Sequence, residues 1–331
     1  MTRYLVAGHI SYDLFPRFDT WPTLAPGRLV EAGPLAHAPG GCVSNTATTL
    51  AGLGHDVAIA ACVGGDFLGE LLREALAARG LPVGGLREAA GSTSYTVVTE
   101  APGVDRAFWH HLGANAAFDG SGLDFTGVDL LHTGYPPLLP ALLPDDGGPL
   151  ADLLERAREE GVTTSLDLVV VDPRGSAGGV TWSAWMGRVL PRVDVLTPSL
   201  DDLRSLTRET GPTTPEAALA AADALVAAGV RCVAVTAGTA GFAVATAGRP
   251  GSLPPLLDRL PGSFWGMRRW YPCEPVTDPA RTTGAGDAFS AGFVSALATA
   301  GSVDEVADAA RRAARRHVTT TYDPVPEVRA G

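Results

Sequence analysis

Residues 282–293 combine small side chains with a single carboxylate, in the sequence Thr-Thr-Gly-Ala-Gly-Asp-Ala-Phe-Ser-Ala-Gly-Phe. The apolar spacing becomes helical from Ala285 onward, so the pattern predicts a glycine-rich loop that opens directly into a helix. The first N–H groups of a helix lack intrahelical partners and lie at the positive end of its dipole, so Gly284, Ala285 and Gly286 could hold an anion. Asp287 would then be close enough to accept a proton from a hydroxyl that attacks this anion. The alternative is that Asp287 only complements the helix dipole and that the glycines only form a turn.

A second set of polar residues lies in the N-terminal part of the chain and suits a polyol. Asp13 follows a short apolar strand predicted at residues 4–7, and Gly40 and Gly41 precede a helix of small residues that begins near Asn45. The glycine pair lets a ligand approach the main chain, and the Asn45 amide offers both donors and an acceptor to sugar hydroxyls. A turn aspartate and a helix-capping asparagine are the structural alternatives for Asp13 and Asn45.

The rest of the chain predicts the elements that must position these residues. Apolar strand patterns alternate with amphipathic helices along residues 129–236, which is typical of a doubly wound, mainly parallel α/β sheet flanked by helices. Residues 92–115 contain a period-two pattern that predicts antiparallel strands. Residues 16–39 hold five prolines and are predicted to form an extended excursion rather than part of a packed sheet. We therefore predict one α/β domain over residues 1–331, into which the segment at 92–115 and a segment at about 14–39 are inserted as a small β-strand lid.

The end of the strand predicted at residues 230–236 carries residues that suit a nucleotide. Thr236, Gly238 and Gly241 lie there, and ligands of doubly wound sheets bind at the carboxyl ends of the strands. A hydroxyl and two glycines fit a phosphate chain, although any strand-to-strand turn could have the same composition.

The composition excludes several classes of function. The chain contains 25 arginines and no lysine, which rules out a P-loop, the strand lysine of protein kinases and Schiff-base chemistry. A formal net charge of −11 argues against a nucleic-acid groove. No run of about eighteen apolar residues indicates a membrane helix, and the four cysteines fit neither a zinc pattern nor a disulfide framework. We therefore expect a cytoplasmic protein with reduced thiols and with neither a nucleic-acid nor a membrane partner.

Two separated signatures resemble those of the ribokinase-like (PfkB) family of carbohydrate and nucleoside kinases. The first is Gly40-Gly41-x-x-x-Asn45, followed by Gly52-Leu53-Gly54 and by Val63-Gly64-x-Asp66-x-x-Gly69, and the second runs from Thr282 to Phe289. The resemblance covers nearly the whole chain, and the two signatures occur in the family's order and spacing.

This resemblance implies an ATP-dependent kinase that transfers the γ-phosphoryl group to a hydroxymethyl group of a small sugar or sugar derivative. Asp287 would be the base, and residues 284–286 would form the anion hole. Mg²⁺ would accompany ATP, and the nucleotide would lie near Thr236, Gly238, Gly241 and Ser199. The residues implied to bind the sugar are Asp13, Gly40, Gly41, Asn45 and Asn115, the last of which belongs to Gly113-Ala114-Asn115, a segment similar to a lid-end motif.

Two positions depart from the family pattern. The family commonly has Asn-x-x-Glu after a central strand to organise the hydration shell of Mg²⁺, whereas this chain has Ser199 and Asp202 there. Asp202 keeps the charge on a shorter side chain, and we expect it to act on the metal through water. Many members also have an aspartate six residues before the base that helps to bind a monovalent cation, and here that residue is Arg281. Because a guanidinium repels a nearby K⁺, we expect Arg281 to replace the cation and the enzyme to be independent of K⁺.

Two other functions fit the same sequence. A nucleoside kinase would need an aromatic or apolar wall for the base, and the predicted lid offers Phe15, Phe18, Trp21, Phe108 and Trp109. A non-catalytic regulator that binds a nucleotide or a sugar would explain the departures at Ser199 and Arg281, although the retained Asp287 weighs against it. A homodimer formed through the lid is a further expectation.

Overall fold

Thirteen strands and nine α-helices lie in residues 2–23 and 25–320, the part of the chain that the computed structural model describes. The strands are β1 (Arg3–Gly8), β2 (Ser11–Phe15), β3 (Ala36–Gly40), β4 (Asp56–Val63), β5 (Leu86–Glu88), β6 (Tyr95–Ala101), β7 (Val104–His111), β8 (Leu130–Gly134), β9 (Thr163–Asp167), β10 (Val195–Leu196), β11 (Cys232–Thr236), β12 (Gly241–Thr246) and β13 (Arg268–Pro272). The helices are α1 (Gly41–Gly52), α2 (Phe67–Ala78), α3 (Pro144–Glu159), α4 (Trp182–Val189), α5 (Leu200–Thr207), α6 (Pro215–Ala227), α7 (Pro255–Asp258), α8 (Ala285–Leu297) and α9 (Val303–Thr319). None of these helices is both long enough and apolar enough to cross a bilayer.

Nine strands form one large sheet in the order β13-β12-β11-β10-β9-β8-β1-β4-β5. Neighbouring strands from β5 to β11 pair in parallel, whereas β11 with β12 and β12 with β13 pair antiparallel. The predicted doubly wound, mainly parallel sheet is therefore confirmed. The direction of chain progression reverses between β1 and β8, so the carboxyl ends of these two strands flank the crevice in which such folds bind ligands.

Helices cover both faces of the large sheet, each over its own apolar core. Along β1, Leu5 and Ala7 belong to one core while Tyr4 and Val6 belong to the other, because successive side chains of a strand point to opposite faces. Helices α3 to α6 pack on the first face, and α1, α2, α8 and α9 pack on the second. Burial of both faces explains why the central strands are recognisable in the sequence as continuous apolar runs.

Part of the first signature serves the fold rather than a ligand. The Asp66 carboxylate caps α2 by accepting the Gly69 N–H at 3.0 Å, and it also accepts the Thr93 N–H at 2.8 Å. A side chain at position 69 would overlap the Gly64 carbonyl oxygen. Asp66 and Gly69 therefore fix the start of α2 against the segment that leads into β6.

A second, four-stranded sheet has the order β3-β2-β6-β7 and is called the lid sheet below. It includes Ala36–Gly40, so the prediction that residues up to 39 lie outside a packed sheet is wrong for the end of that segment. The five prolines of the segment suggested that it stays outside a sheet, but β3 is an edge strand, where Pro39, which has no N–H, is tolerated. The first strand of the lid sheet in the chain, β2, begins at Ser11.

Candidate active site

The predicted site residues meet at the carboxyl ends of the central strands, below the lid sheet. Asp13 lies on β2, Asn45 lies in the first turns of α1, and Asp287 lies in the first turn of α8. Asn45 Nδ2 donates to Asp287 Oδ2 at 2.9 Å, and Asp13 and Asn45 line the same cavity. Residues predicted from opposite ends of the chain thus share one site.

Asp287 is the best-defined carboxylate of this site. Its side chain is only 1% exposed, and it accepts two hydrogen bonds, from Asn45 Nδ2 and from the Tyr135 hydroxyl, each at 2.9 Å. Burial raises the pKa of Asp287 to about 6, and the two donors act against that rise because they stabilise the charged form. The group is therefore ionised at neutral pH and is also a stronger base than an exposed aspartate.

The anion hole was predicted at the start of α8. Gly284 precedes the helix in the left-handed region, at φ 86° and ψ 2°, where a side chain would be strained. The Ala285 N–H donates to Thr282 O at 3.2 Å, whereas Gly286 is exposed and has open space where a Cβ would be. The accessible part of this helix start is therefore at Gly286, beside the buried Asp287.

The glycine pair before α1 is matched to Asp13. Asp13 is buried, and its carboxylate accepts a hydrogen bond from the Ser11 hydroxyl at 2.7 Å. A Cβ at Gly40 would overlap the Asp13 carboxylate, and Gly41 has φ 78°, so neither position accepts an ordinary side chain. Burial raises the pKa of Asp13 to about 6, with the charge of Asp287 acting in the same direction.

Asn115 occupies a different environment from the other residues predicted to bind sugar. Its side chain is fully buried, Oδ1 accepts the Ile10 N–H at 3.2 Å, and Nδ2 donates to Ile10 O at 2.7 Å. The amide thus holds the connection between β1 and β2. Contact of Asn115 with a sugar stays a prediction, but the geometry already gives this side chain a positioning task.

A narrow cavity of about 20 Å³ lies between the lid sheet, α1, the loop before α8, and α9. Its lining includes Asp13, Asn45, Arg79, Arg281 and His317. A cavity of this size has room for about one water molecule, which is much less than a sugar needs. The site therefore has a closed form.

Contacts between the lid sheet and the domain maintain this closed form. The Arg106 guanidinium, on β7, donates to the Thr282 hydroxyl in the loop before α8. His110, also on β7, lies with Nε2 at 3.4 Å from Nε2 of His9, which follows β1. Burial lowers the pKa of both histidines, so the pair is neutral and one ring can donate to the other.

The residues predicted to bind the nucleotide lie together at the ends of β10 and β11. Ser199 forms a bridge with Thr236, but its hydroxyl and N–H both donate to Asp202 Oδ2, at 2.6 and 2.8 Å. The two residues form the capping box of α5, so Asp202 has a structural task besides the predicted one at the metal. Gly238 is open to solvent, whereas a side chain at Gly241 would overlap the Tyr271 carbonyl oxygen.

Arg281 lies on the wall of the cavity. Its Nε donates to the His317 carbonyl oxygen at 3.1 Å, which ties the loop before α8 to α9. The replacement of a monovalent cation by this guanidinium stays a prediction.

Sequence reasoning missed two site residues, Tyr135 and Asp167. Tyr135 follows β8 and donates to Asp287, and Asp167 ends β9, where it is buried and accepts the Ser290 hydroxyl at 3.2 Å. Burial raises the pKa of Asp167, and the negative charges of Asp287 and Asp202 raise it further. Both residues directly follow or end a predicted central strand, so the strand-end rule, applied to every strand, would have found them.

Comparisons with known proteins agree with this architecture. The chain is 28% identical over 308 residues to an ATP-dependent ribose-1-phosphate kinase from Halopiger xanaduensis, an alignment that covers 92% of this chain and 88% of the relative. Among solved structures, the Arabidopsis thaliana ribokinase complexed with ribose and ATP matches with a TM-score of 0.69 at 21% identity, covering 96% of this chain and 92% of that one. An Escherichia coli protein in complex with ATP and Mg²⁺ matches with a TM-score of 0.71 at 18% identity, covering 97% and 94%. The structural matches show the ribokinase fold.

Fold and sequence together define an ATP-dependent sugar kinase. The sequence model of the pfkB family carbohydrate kinases matches residues 1–325, and the chain belongs to that family.

Proposed function

We propose that this kinase transfers the γ-phosphoryl group of ATP to a hydroxymethyl group of a small sugar, with Asp287 as the general base. One observation carries the proposal: a buried carboxylate, held by two neutral donors, lies directly beside the exposed start of a helix. A helix start can hold the transferred phosphoryl group while the neighbouring carboxylate receives the proton of the attacking hydroxyl.

The proposed step balances as follows. The hydroxymethyl oxygen attacks the γ-phosphorus, its proton passes to an Asp287 oxygen, and the bond between the γ-phosphorus and the bridging oxygen breaks, so that ADP leaves with the electron pair. A pKa of about 6 suits this step, because Asp287 is mostly ionised at neutral pH and still binds a proton more tightly than an exposed aspartate. Asn45 and Tyr135 keep its two oxygens oriented.

The main chain near Gly286 would stabilise the charge that develops on the transferred group. Preorganised N–H donors at a helix start act without reorganisation, and removal of one such donor typically costs about 10²–10³ in kcat. Gly284 and Gly286 are needed there for different reasons, since Gly284 adopts a left-handed conformation and Gly286 leaves the approach open.

The carboxylates beside Asp287 fit an Mg²⁺ ion that arrives with ATP. Asp167 is buried, and the charges of Asp287 and Asp202 raise its pKa, so this part of the site lacks positive charge. Mg²⁺ is usually held by one or two carboxylates together with substrate phosphates and water. Bound there, the ion would neutralise phosphate charge.

A sugar fits the acceptor side better than a nucleoside. Among the five aromatic residues considered for a nucleobase wall, Phe15 lines the described cavity, whereas Phe108 and Trp109 are 50% and 52% exposed. The polar lining formed by Asp13 and Asn45 suits hydroxyl groups. Ribose 1-phosphate, in the name of the Halopiger relative, belongs in any acceptor panel.

The homodimer through the lid also stays a proposal. β7 is an edge strand of the lid sheet, and Phe108 and Trp109 expose half of their surface along it, which favours pairing with a second copy.

The test is ADP release with Mg²⁺ and ATP against pentoses, hexoses, sugar acids, ribose 1-phosphate and nucleosides. We expect turnover with at least one sugar acceptor, and a loss of kcat of at least about a hundredfold in Asp287→Asn, the usual range for a general base. Asp152→Asn, at an exposed position of α3, is the matched control and should retain full activity. ATP binding without turnover on any acceptor would favour the regulator, and preference for a nucleoside would favour the nucleoside kinase.

A further inference from the structure

We propose that His317, in the last turn of α9, positions the start of α8 for phosphoryl transfer. This inference rests on the proposed function, since it names the side chain that holds the anion hole at residues 284–286 in place. Its basis is a set of hydrogen bonds and close contacts that join the end of α9 to the loop before α8.

The loop before α8 ends at the residue that closes the first turn of the helix. Residues 273–284 connect β13 to α8 without a helix or strand of their own. The Ala288 N–H donates to the Gly284 carbonyl oxygen at 3.0 Å, and Gly286 and Asp287 lie in the turn that this bond closes. The position of Gly284 therefore determines where the exposed helix start lies relative to the proposed base.

The C-terminal end of α9 anchors this loop through main-chain groups. The last carbonyl groups of a helix lack intrahelical partners, and here two of them accept bonds from the loop. Arg281 Nε donates to the His317 carbonyl oxygen at 3.1 Å, and the Ala280 N–H donates to the Val318 carbonyl oxygen at 2.9 Å. Consecutive residues of the loop are thus joined to consecutive residues of the helix.

The His317 ring adds a hydrogen bond in the opposite direction and closer to α8. Its Nε2 lies 2.8 Å from the Thr283 carbonyl oxygen, and because a carbonyl can only accept, Nε2 carries the proton. Burial together with the charge of Arg281 lowers the pKa of His317 to about 4, so the ring donates as a neutral imidazole at neutral pH. The bond therefore stays intact over the pH range in which Asp287 is ionised.

The same ring packs against Gly284. A Cβ at that position would lie 3.0 Å from the His317 ring and 3.0 Å from Asn45 Nδ2, the atom that donates to Asp287. The left-handed conformation of Gly284 and this close packing leave little room for a side chain there. His317 therefore bounds the space in which the base, its amide donor and the helix start meet.

Substitutions of His317 test the hydrogen bond separately from the packing. Leucine fills a similar space without a donor, whereas the amide nitrogen of glutamine can reach the position of Nε2. With the sugar that gives the fastest ADP release, kcat should fall by about 10- to 100-fold in His317→Leu and by less than about threefold in His317→Gln, because small displacements of preorganised donors are costly. The KM of ATP and of the sugar should change much less than kcat in both variants.

Two further variants complete this series. His317→Asn, whose amide is one bond shorter, should behave like His317→Leu, which keeps the test valid if leucine disturbs folding. His55→Leu is the matched control, because His55 Nε2 also bonds to α8, at 2.7 Å from Ser295 Oγ, but in a later turn of the helix. Its kcat should stay within about threefold of the unchanged protein, since the bond does not touch the first turn.

Binding of ADP with aluminium fluoride tests the inference without turnover. Aluminium fluoride stands in for the transferred phosphoryl group, so in the presence of Mg²⁺ the unchanged protein should bind ADP at least about tenfold more tightly when it is added. We expect His317→Leu and His317→Asn to lose most of this gain while keeping their affinity for ADP alone, as measured by calorimetry. His317→Gln and His55→Leu should retain it.

The outcomes separate this inference from the proposed function. An unchanged kcat and an unchanged gain in His317→Leu would overturn the inference. Equal losses in His317→Leu and His317→Gln would also overturn it, because the loss would then not follow the donor, and so would an equal loss in His55→Leu. If the unchanged protein shows neither turnover nor a gain with aluminium fluoride, the proposed function itself is wrong.

Discussion

The hydrogen bond from Tyr135 to Asp287 is the contact that most directly affects the proposed base. The hydroxyl of Tyr135 reaches Asp287 from a main chain in the left-handed region, at φ 62° and ψ 49°. Such a conformation costs a tyrosine about 1 kcal/mol or more and persists only where the surroundings enforce it. Here Tyr135 is followed by Pro136 and Pro137, both buried, which fix the turn. We interpret Tyr135 as a residue that positions the base.

Tyr135→Phe tests this role through the pH profile. Loss of the donor should raise the pKa of Asp287 above its value of about 6, since the hydrogen bond stabilises the carboxylate. Activity needs the ionised form, so the acid limb of the kcat profile should move to higher pH by up to about one unit. Tyr271→Phe is the matched control, because its hydroxyl also donates to an aspartate, Asp304 on α9, and not to Asp287. An unchanged acid limb in Tyr135→Phe would contradict the assignment.

Among single residues, the sequence predicted those whose neighbours in the site are also neighbours in the chain. It missed those whose partners are distant in the chain. Asp287 and the glycines before it form one turn, so their spacing alone suggested an anion site with a base. Tyr135 gains its role only from a bond to Asp287, a residue 152 positions away. Asn115 shows the same limit, because its motif suggested a ligand contact and could not show that both polar groups of its amide bind Ile10.

The lid sheet is the element that decides access to the site. Its strand β7 reaches the loop before α8 through Arg106 and reaches His9 through His110. The cavity below it, of about 20 Å³, is too small for a sugar, so we expect an acceptor to enter only when the lid sheet moves away. Closure would then exclude water, as lids of phosphotransferases are expected to do.

Arg106→Met should weaken closure without affecting the reacting groups. We expect the KM of the acceptor to rise by about tenfold, in line with the loss of one charged hydrogen bond, and the KM of ATP to change much less. ADP release without an acceptor should rise relative to productive turnover, because water enters a loosened site more easily. Arg17→Met, the same change at an exposed position near the lid sheet, provides the control. Equal changes in both variants would mean that the Arg106 contact does not hold the lid.

Helices and strands were predicted correctly where the periodicity of apolar side chains determines their type and bounds. Helix α8 begins at Ala285 as expected, and the buried central strands lie where the apolar runs predicted them. The five prolines of residues 16–39 predicted that this segment lies outside a packed sheet, but its end pairs with β2 as β3 at the edge of the lid sheet. Local propensity cannot show such pairing, since it depends on a partner elsewhere in the chain.

The molecule as a whole carries a stability cost from its buried carboxylates. Asp13 and Asp287 both have a pKa of about 6 in the folded protein, against about 3.9 for an unfolded aspartate. Between about pH 4 and 6 the folded state therefore binds more protons than the unfolded state does. The contribution of Asp13 and Asp287 to the free energy of unfolding falls as the pH rises through that window. Above about pH 6 each ionised carboxylate lowers the free energy of unfolding by its full amount, which is at most about 3 kcal/mol.

Asp287→Asn should consequently stabilise the protein while inactivating it. Urea unfolding at pH 7.5 should show a gain of about 1–3 kcal/mol over the unchanged protein, because the charged group is gone. At pH 4.5, where Asp287 is already protonated in the folded state, the gain should be much smaller. Asp152→Asn should show no such difference between the two pH values. An equal gain at both would indicate that ionisation of Asp287 is not the source.

The sequence predicted the fold class and its ligand-binding edge but not the strand order of the large sheet. Alternation of apolar strands and amphipathic helices is enough to indicate a doubly wound sheet. The position of β1 between β8 and β4, and the antiparallel edge formed by β12 and β13, follow from tertiary pairing. They decide which strand ends are neighbours and therefore which side chains can meet.

The packing of Gly40 against Asp13 also constrains how this chain can evolve. A side chain at position 40 would overlap the Asp13 carboxylate, so a residue other than glycine at position 40 requires a smaller residue at position 13. Asp13 can be replaced by a smaller residue while Gly40 is kept, but Gly40 can be replaced only together with Asp13 or after it. The order in which these two positions can change is therefore fixed by their packing.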